Sequence, residues 1–459
     1  MQKLDVQKPD FLSLLKEHIN LSALIPQEFR KAYYKNTGKP RDHKLESMLW
    51  FGQLQNFIGV KDDAAMLRVL QLSSELREFC GFVNVPDAYC ISTFRKDFAE
   101  YLGLLFEHLV EVTEPICRAI DPKKADYLLY DPTGIKAKVS ENNPKFMNMK
   151  LDQAKKIAKN NPDYDPYKGV YSLLPDTAKA NPFLKRQHIN GHFCYAHKVG
   201  ILTNGIGIVR GLYLFDDRFR AKHPDIVERK TDNPDLDKEI GDSTSLKPVL
   251  SDFFHAHPSF LYKTFIADSS FDSYDNYTML KHDFHFDRIC IPLNPRNSAS
   301  AHNDFDKNGT PVCPIDKTPF TYLGVSGGKN RSKRLKFVCH KSIKIKGTTK
   351  RICTCDTPCT TKPYGRCVYT YPDKNLRLYP GIIRGTQHWD NLYRHRTLIE
   401  RTIFIFKDSF GIAHRRSFSA ASAKADLFNA GITQLLGLIL AVSFNKSQFF
   451  KSVRRLFSA

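Results

Sequence analysis

The segment YRHRTLIERTIFIFK, residues 393–407, spaces Tyr393, Arg396, Glu400 and Lys407 as Y-x2-R-x3-E-x6-K. At about 100° per residue a helix puts Arg396 near 300°, Glu400 near 340° and Lys407 near 320° from Tyr393, so the four share an arc of roughly 60°. Leu392, Ile399, Ile403 and Phe406 fall beside it, between roughly 220° and 280°. A solvated helix carries its charges opposite the core, whereas this one carries them alongside. A lone carboxylate held among cations at the edge of a core suits a metal site or contact with nucleic acid.

Two more carboxylates stand where such a site needs them. Metal-assisted phosphoryl transfer gathers carboxylates from distant parts of a chain around a pair of hard cations. In open α/β sheets such groups sit just past the carboxyl ends of strands. The apolar run DYLLY leads into Asp131-Pro132-Thr133-Gly134, and the run TFIAD ends in Asp268. Asp126, at the other end of the first run, competes with Asp131. Asp272 is expected to cap the helix that follows Asp268.

With these residues in place the chain resembles the DDE-type insertion-sequence transposases, whose catalytic core is ribonuclease H-like. The spacing of Tyr393, Arg396, Glu400 and Lys407 matches that family's Y-R-E-K signature, and the order Asp131, Asp268, Glu400 matches its D-D-E order. Asp131-Pro132-Thr133 stands where the family has D-S-T or D-G-T. Ala267-Asp268-Ser269-Ser270-Phe271-Asp272-Ser273 departs from A-D-x-G-Y-D-S at Ser270. The helical first part, with its proline-aspartate turn before S-T-F-R, is similar too, and the likeness spans about residues 40–440.

The resemblance implies cut-and-paste transposition, with Asp131, Asp268 and Glu400 as catalytic ligands of two Mg²⁺ or Mn²⁺ ions. It implies phosphate contacts by Arg396 and Lys407 and a DNA contact by Tyr393; Trp389, just upstream, either stacks on a DNA base or anchors the helix. The implied partners are double-stranded DNA (terminal inverted repeats and target) and a second copy of the chain in the DNA complex. The implied place is the cytoplasm, at the nucleoid. The rival readings are a ribonuclease H-like nuclease or recombinase without strand transfer, and a non-catalytic zinc-dependent DNA-binding protein.

Composition points the same way. Lys plus Arg number 69 against 48 Asp plus Glu, a formal net charge of +21, which calls for a polyanionic partner. No signal-peptide pattern opens the sequence, so the eleven cysteines are expected to be reduced. Cys313, Cys339, Cys353, Cys355, Cys359 and Cys367 cluster within one stretch. Soft thiolates at such spacing select zinc, although no C-x2-C pair is present. A structural zinc ion on Cys339, Cys353, Cys355, Cys359 and Cys367 is the resulting expectation. The basic run GGKNRSKRLKFVCHKSIKIKGTTKRICT, residues 327–354, suits DNA backbone contact. The apolar run LFNAGITQLLGLILAVSF, residues 427–444, carries Asn429 and Gln434 and reads as a core helix rather than a membrane span.

The expected architecture is α/β: a ribonuclease H-like mixed sheet flanked by helices, with a helical N-terminal domain and a Cys-containing insertion. Residues 1–120 read as a helical DNA-binding or dimerisation domain, with a long helix starting at Ser92 or Thr93. Residues 121–300 read as the first part of the core, with two strands joined at Asn204-Gly205 and a polar loop over 141–190. Residues 301–380 form the basic, Cys-rich insertion, and 381–459 complete the core.

Overall fold

The computed structural model describes residues 11–35, 40–161, 163–189, 192–226, 240–295, 304–327, 332–415, 417, 419–446 and 449. The described residues up to 120 are mostly helical, as expected, and include α1 (Leu45–Phe57) and α2 (Ala88–Ile120). α2 starts earlier than Ser92 or Thr93. Pro86 ends the preceding extended stretch, and the Asp87 side chain accepts a hydrogen bond from the Cys90 amide at 2.6 Å. An aspartate in that position satisfies a first-turn donor that nothing else could reach.

The main sheet contains β1 (Tyr127–Lys136), β2 (Thr177–Ala178), β3 (Asn181–Ile189), β4 (His192–Asn204), β5 (Val209–Leu214), β6 (Thr264–Ile266) and β7 (Arg288–Cys290). Its central order is β5-β4-β1-β6-β7; β4 runs antiparallel to β1 and β5, while β1, β6 and β7 are parallel. The fold is thus mixed α/β with a mixed sheet and many helices. β4 and β5 are joined at Asn204-Gly205, where Asn204 Oδ1 accepts from the Ile206 and Ile208 amides at 3.1 and 3.0 Å.

β1 does not end at Asp131. It continues through Pro132 to Lys136, paired only with β4, because its parallel partner β6 stops opposite Leu129. On that single-neighbour stretch a missing proline donor is tolerable.

The stretch 141–190 is not a loop. It forms α3 (Pro144–Asn160), then β2 and β3, and β3 pairs with β4 from Lys185 to Ile189. Asn143 caps α3 by accepting from the Lys145 amide at 3.0 Å, and Pro144 occupies its first turn, a regular helix-start pair.

Three further helices support the sheet: α4 (Leu246–Ala256), α5 (Tyr274–His282) and α6 (Gln387–Tyr393). α7 (Thr397–Phe404) follows α6 after a 3-10 turn at Arg394–Arg396 and runs into a π turn at Ile405–Ser409. α8 (Ala420–Ser443) is apolar all round and is long enough to cross a membrane, but it lies inside the core, packed on α2, α1 and β5. Its polar groups are matched: Asn56 Nδ2 donates to Thr433 Oγ1 at 2.7 Å and Gln53 Nε2 to Asn429 Oδ1 at 3.2 Å, while Gln434 Oε1 accepts from the Val209 amide at 2.8 Å. One hydrophobic core therefore runs from Leu15 to Ala441.

The region after residue 304 adds β8 (Thr321–Ser326), β9 (Arg334–Val338) and β12 (Cys367–Thr370) as one sheet, and β10 (Ser342–Lys344) with β11 (Arg351–Cys353) as a hairpin. These strands enclose a small separate core around Phe320, Phe337 and Tyr379.

His257 clamps α2 to the strand-leading loop. Its Nε2 meets Glu107 Oε2 at 2.6 Å, its Nδ1 pairs with Glu111, and the ring stacks on Phe260 at 4.7 Å. Burial opposes its charge, but the two carboxylates overcome this and raise its pKa above the ordinary value. A raised folded-state pKa adds stability that is fully present below about pH 6.5 and fades as pH rises through the folded value. His257→Gln is expected to cost about 1–3 kcal/mol at pH 6, and the deficit should narrow by pH 9. Denaturant melts of both proteins at the two pH values test this; an equal deficit at both would assign the effect to ring packing.

Candidate active site

β1 and β6 lie in register with Leu129 opposite Ile266. Asp131 and Asp268 each stand two residues past that pair, just beyond the point where the parallel pairing of β1 with β6 stops, on neighbouring strands roughly 5 Å apart. α7 packs across β1 and β4. Ile399 and Phe406 are buried, as is Leu392 one segment earlier, and these apolar anchors turn Arg396 and Glu400 toward the strand ends. The expected pairing of an apolar stripe with a charged one is therefore present, with Ile403 half-buried. Lys407 lies on the π turn, a feature that re-aims side chains and recurs at functional sites; its Nζ donates to Thr133 Oγ1 at 2.6 Å.

Arg396 sits at the centre. Its Nη2 is 3.6 Å from Asp131 Oδ2 and 3.4 Å from Asp268 Oδ2, so those oxygens are at most 7.0 Å apart. Its Nη1 pairs with Glu400 Oε1. One guanidinium thus holds three carboxylates that are far apart in sequence. Asp126, at the opposite end of β1, is not among them.

The electrostatics follow from crowding. Burial pushes the Asp131 carboxyl up to about 7; Arg396 opposes this, while Asp268, Asp242 and Glu400 add to it. Burial works against the charge on Arg396, but Asp131, Glu400 and Asp268 prevail and hold its pKa above the ordinary value. Burial draws Lys407 below its ordinary value, with Cys194 and Asp131 pulling the other way.

A cavity of about 480 Å³ opens beside Asp131 and Glu400. Its walls include Lys185, Arg186, Lys198, Asp242, Phe404 and Lys407. Sequence reasoning passed over Asp242, which pairs with Lys198 at 2.7 Å; the only signal was the cap-like string GDSTS before α4. It also passed over Phe404, one turn beyond Glu400 and 62% exposed.

Of the two readings of Trp389 the structure fits the helix anchor, and Asp272 differs from expectation. Trp389 is buried: it stacks on Tyr393 at 5.9 Å and lies under the Arg384 guanidinium at 5.2 Å. It anchors α6 and offers no open face to a base, whereas Tyr393 is half-buried. Asp272 does not cap α5. It is fully buried and bidentate to Arg377 at 3.0 and 2.7 Å, and the cap is Ser273.

Residues 2–97 match the model of a transposase domain (DUF772). The matched span is the helical first part and includes none of the three carboxylates. No curated protein matches the chain. Among solved structures, a piggyBac transposase synaptic complex with hairpin DNA is similar at TM-score 0.41 and 10% identity, covering all of this chain and 84% of that one.

All eleven cysteines are free thiols. Cys313 and Cys339 are buried in the small core, with Cys355 and Cys359 packed against it. Cys355 lies near Cys353 and Cys339, and Cys359 near Cys313, and with burial these neighbours raise both thiols above their ordinary pKa. Cys367 stands on β12 opposite Val338. The soft donor set suits zinc in kind, but among the described residues no three His, Cys, Asp or Glu side chains are arranged to hold a metal ion. For the carboxylates the reason is visible: the Arg396 guanidinium occupies the space between them.

Proposed function

We propose that this protein is a DNA transposase that cuts and rejoins DNA in cut-and-paste fashion, with Asp131, Asp268 and Glu400 as its catalytic carboxylates. The observation that carries this reading is the convergence of those three groups on one cation, just past the parallel pairing of β1 with β6. The central strand order, with β4 antiparallel to its neighbours, supports a ribonuclease H-like core. The transposase-domain match over residues 2–97 supports the same class of activity.

The donors fit a divalent cation. They are hard oxygens, and they already draw in a cation of the protein's own, while burial, with the neighbouring carboxylates adding to it, pushes Asp131 up to about 7. Magnesium or manganese held by Asp131, Asp268 and Glu400 would neutralise developing charge and activate the attacking oxygen. The chain's own contribution is positioning, which dominates phosphoryl transfer. Arg396 and Lys407 place fixed positive charge beside the scissile phosphate, and Thr133 holds the Lys407 ammonium in line with β1. The partners in this reading are double-stranded terminal repeats and target DNA, bound by a homodimer.

The test is a cleavage and strand-transfer assay on DNA carrying the ends of the native locus, with Mg²⁺ and with chelator. Nicked ends and joined products that vanish on chelation are expected. Cleavage without joining would leave only a nuclease; neither cleavage nor end binding would remove the transposase reading.

A further inference from the structure

We propose that α3, β2 and β3 form a duplex-DNA clamp beside the carboxylates, in which α3 grips the phosphate backbone through Lys145, Lys155, Lys156 and Lys159. This rests on the reading that the protein acts on DNA, and it adds where and how the duplex is held.

The clamp is a folded unit. Ala137, Val139, Ala178, Leu184 and Tyr195 form a core of their own. Asn142 ties the unit to β4: its Nδ2 donates to the Tyr195 carbonyl at 2.8 Å, and its Oδ1 accepts from the Tyr195 amide at 2.8 Å. Glu141 accepts from the Lys179 amide at 2.8 Å. The unit also borders the site directly, since Lys185 and Arg186 of β3 line the same cavity as Asp131 and Glu400.

α3 itself is poorly explained as a packed helix. Within it only Ala154 is buried, and it carries five lysines against one aspartate. Lys145, Lys155, Lys156 and Lys159 are exposed and fall within an arc of roughly 100°. An ordinary solvated helix mixes signs and gains from i,i+4 pairs of opposite charge. Here one acid, Asp152, shares the arc and stands i,i+4 to Lys156, while Lys155 and Lys159 are an i,i+4 pair of like charge, so the lysines outnumber the acid on this face. Among the described residues none of the four forms an ion pair. A helical row of roughly 21 Å faces about twelve duplex phosphates over the same length, at one charge per ~1.7 Å. Phosphates are the partner that turns this repulsion into attraction.

The experiment uses the full chain, with all four lysines changed to Gln in one variant and to Arg in another. Binding to a 30-base-pair duplex of arbitrary sequence is followed by fluorescence anisotropy across a salt series. Each lost phosphate contact lowers the slope of log K against log salt by about 0.9. The Gln variant should therefore lose about 3–4 units of slope and bind on the order of 10- to 100-fold more weakly at 0.1 M salt, while the Arg variant keeps the wild-type slope. Unchanged melting shows that the fold is intact. If the wild type binds and cuts DNA but the Gln variant keeps its slope and affinity, the clamp is wrong and the transposase reading stands. If the wild type binds no duplex, both fall together.

Discussion

Glu400→Gln is expected to reduce DNA cleavage by on the order of 10³-fold or more while leaving end binding and thermal stability near wild type. The size follows from the chemistry: a carboxylate helping to hold a divalent ion supports several kcal/mol of charge stabilisation in the transition state, and each ~1.4 kcal/mol is a factor of ten in rate. The separation from folding follows from the geometry. The Glu400 side chain is 53% exposed and pairs with Arg396 one turn away on the same face, so the isosteric amide removes charge without opening a cavity. Surface changes of that kind usually fall within about 0.5 kcal/mol. Three measurements separate the outcomes: cleavage rate, affinity for terminal-repeat DNA, and melting temperature. A fall in melting temperature that tracks the fall in rate would make Glu400 a structural residue. Full activity in the amide would end the assignment of the third carboxylate.

The second large effect is on stability. Asp426→Ala is expected to destabilise the fold by about 3–5 kcal/mol, the usual cost of leaving buried charges without their partner. Asp426 is almost wholly buried and sits between two guanidiniums, with Arg415 Nη1 at 2.8 Å and Arg95 Nε at 3.3 Å, and it also accepts from Ser417. Arg95 in turn holds Asp63 and donates to Gln55 at 3.1 Å, while Arg415 donates to Asn56. The network thus ties α1 and α2, early in the chain, to α8 near its end. Burial opposes the charge on Arg95, yet Asp426 and Asp63 raise its pKa above the ordinary value. Arg415→Met should cost less, because Arg95 and Ser417 still hold Asp426. The denaturant midpoint decides it: a shift in Asp426→Ala worth under about 0.5 kcal/mol would mean that these charges are hydrated rather than buried.

Much of the candidate site was legible along the chain. Leu392, Ile399 and Phe406 are buried where a 3.6-residue period puts them, and Arg396 and Glu400 flank that stripe. Asp131 and Asp268 follow short apolar runs that are indeed strands. The segment 141–190 was misread because its lysines and asparagines looked like loop composition. The string Asn143-Pro144 followed by KFMNMKLDQAKKIAK already carried a cap and good helix formers. Its strands were harder to read, since β3 is held by its pairing with β4.

Local pattern determined which residues turn inward, because helix and strand periods follow from backbone geometry and act over a few residues. It therefore marked the stripe that carries Glu400 and the apolar runs that lead into Asp131 and Asp268. Only the tertiary structure decided what each polar group meets. Trp389 is covered by Arg384, Asp272 is claimed by Arg377 from 105 residues away, and Asp242 adds its charge to a cavity that no short window contains. Burial and pairing depend on groups that are neighbours in space rather than along the chain, and so does the near-neutral pKa of Asp131.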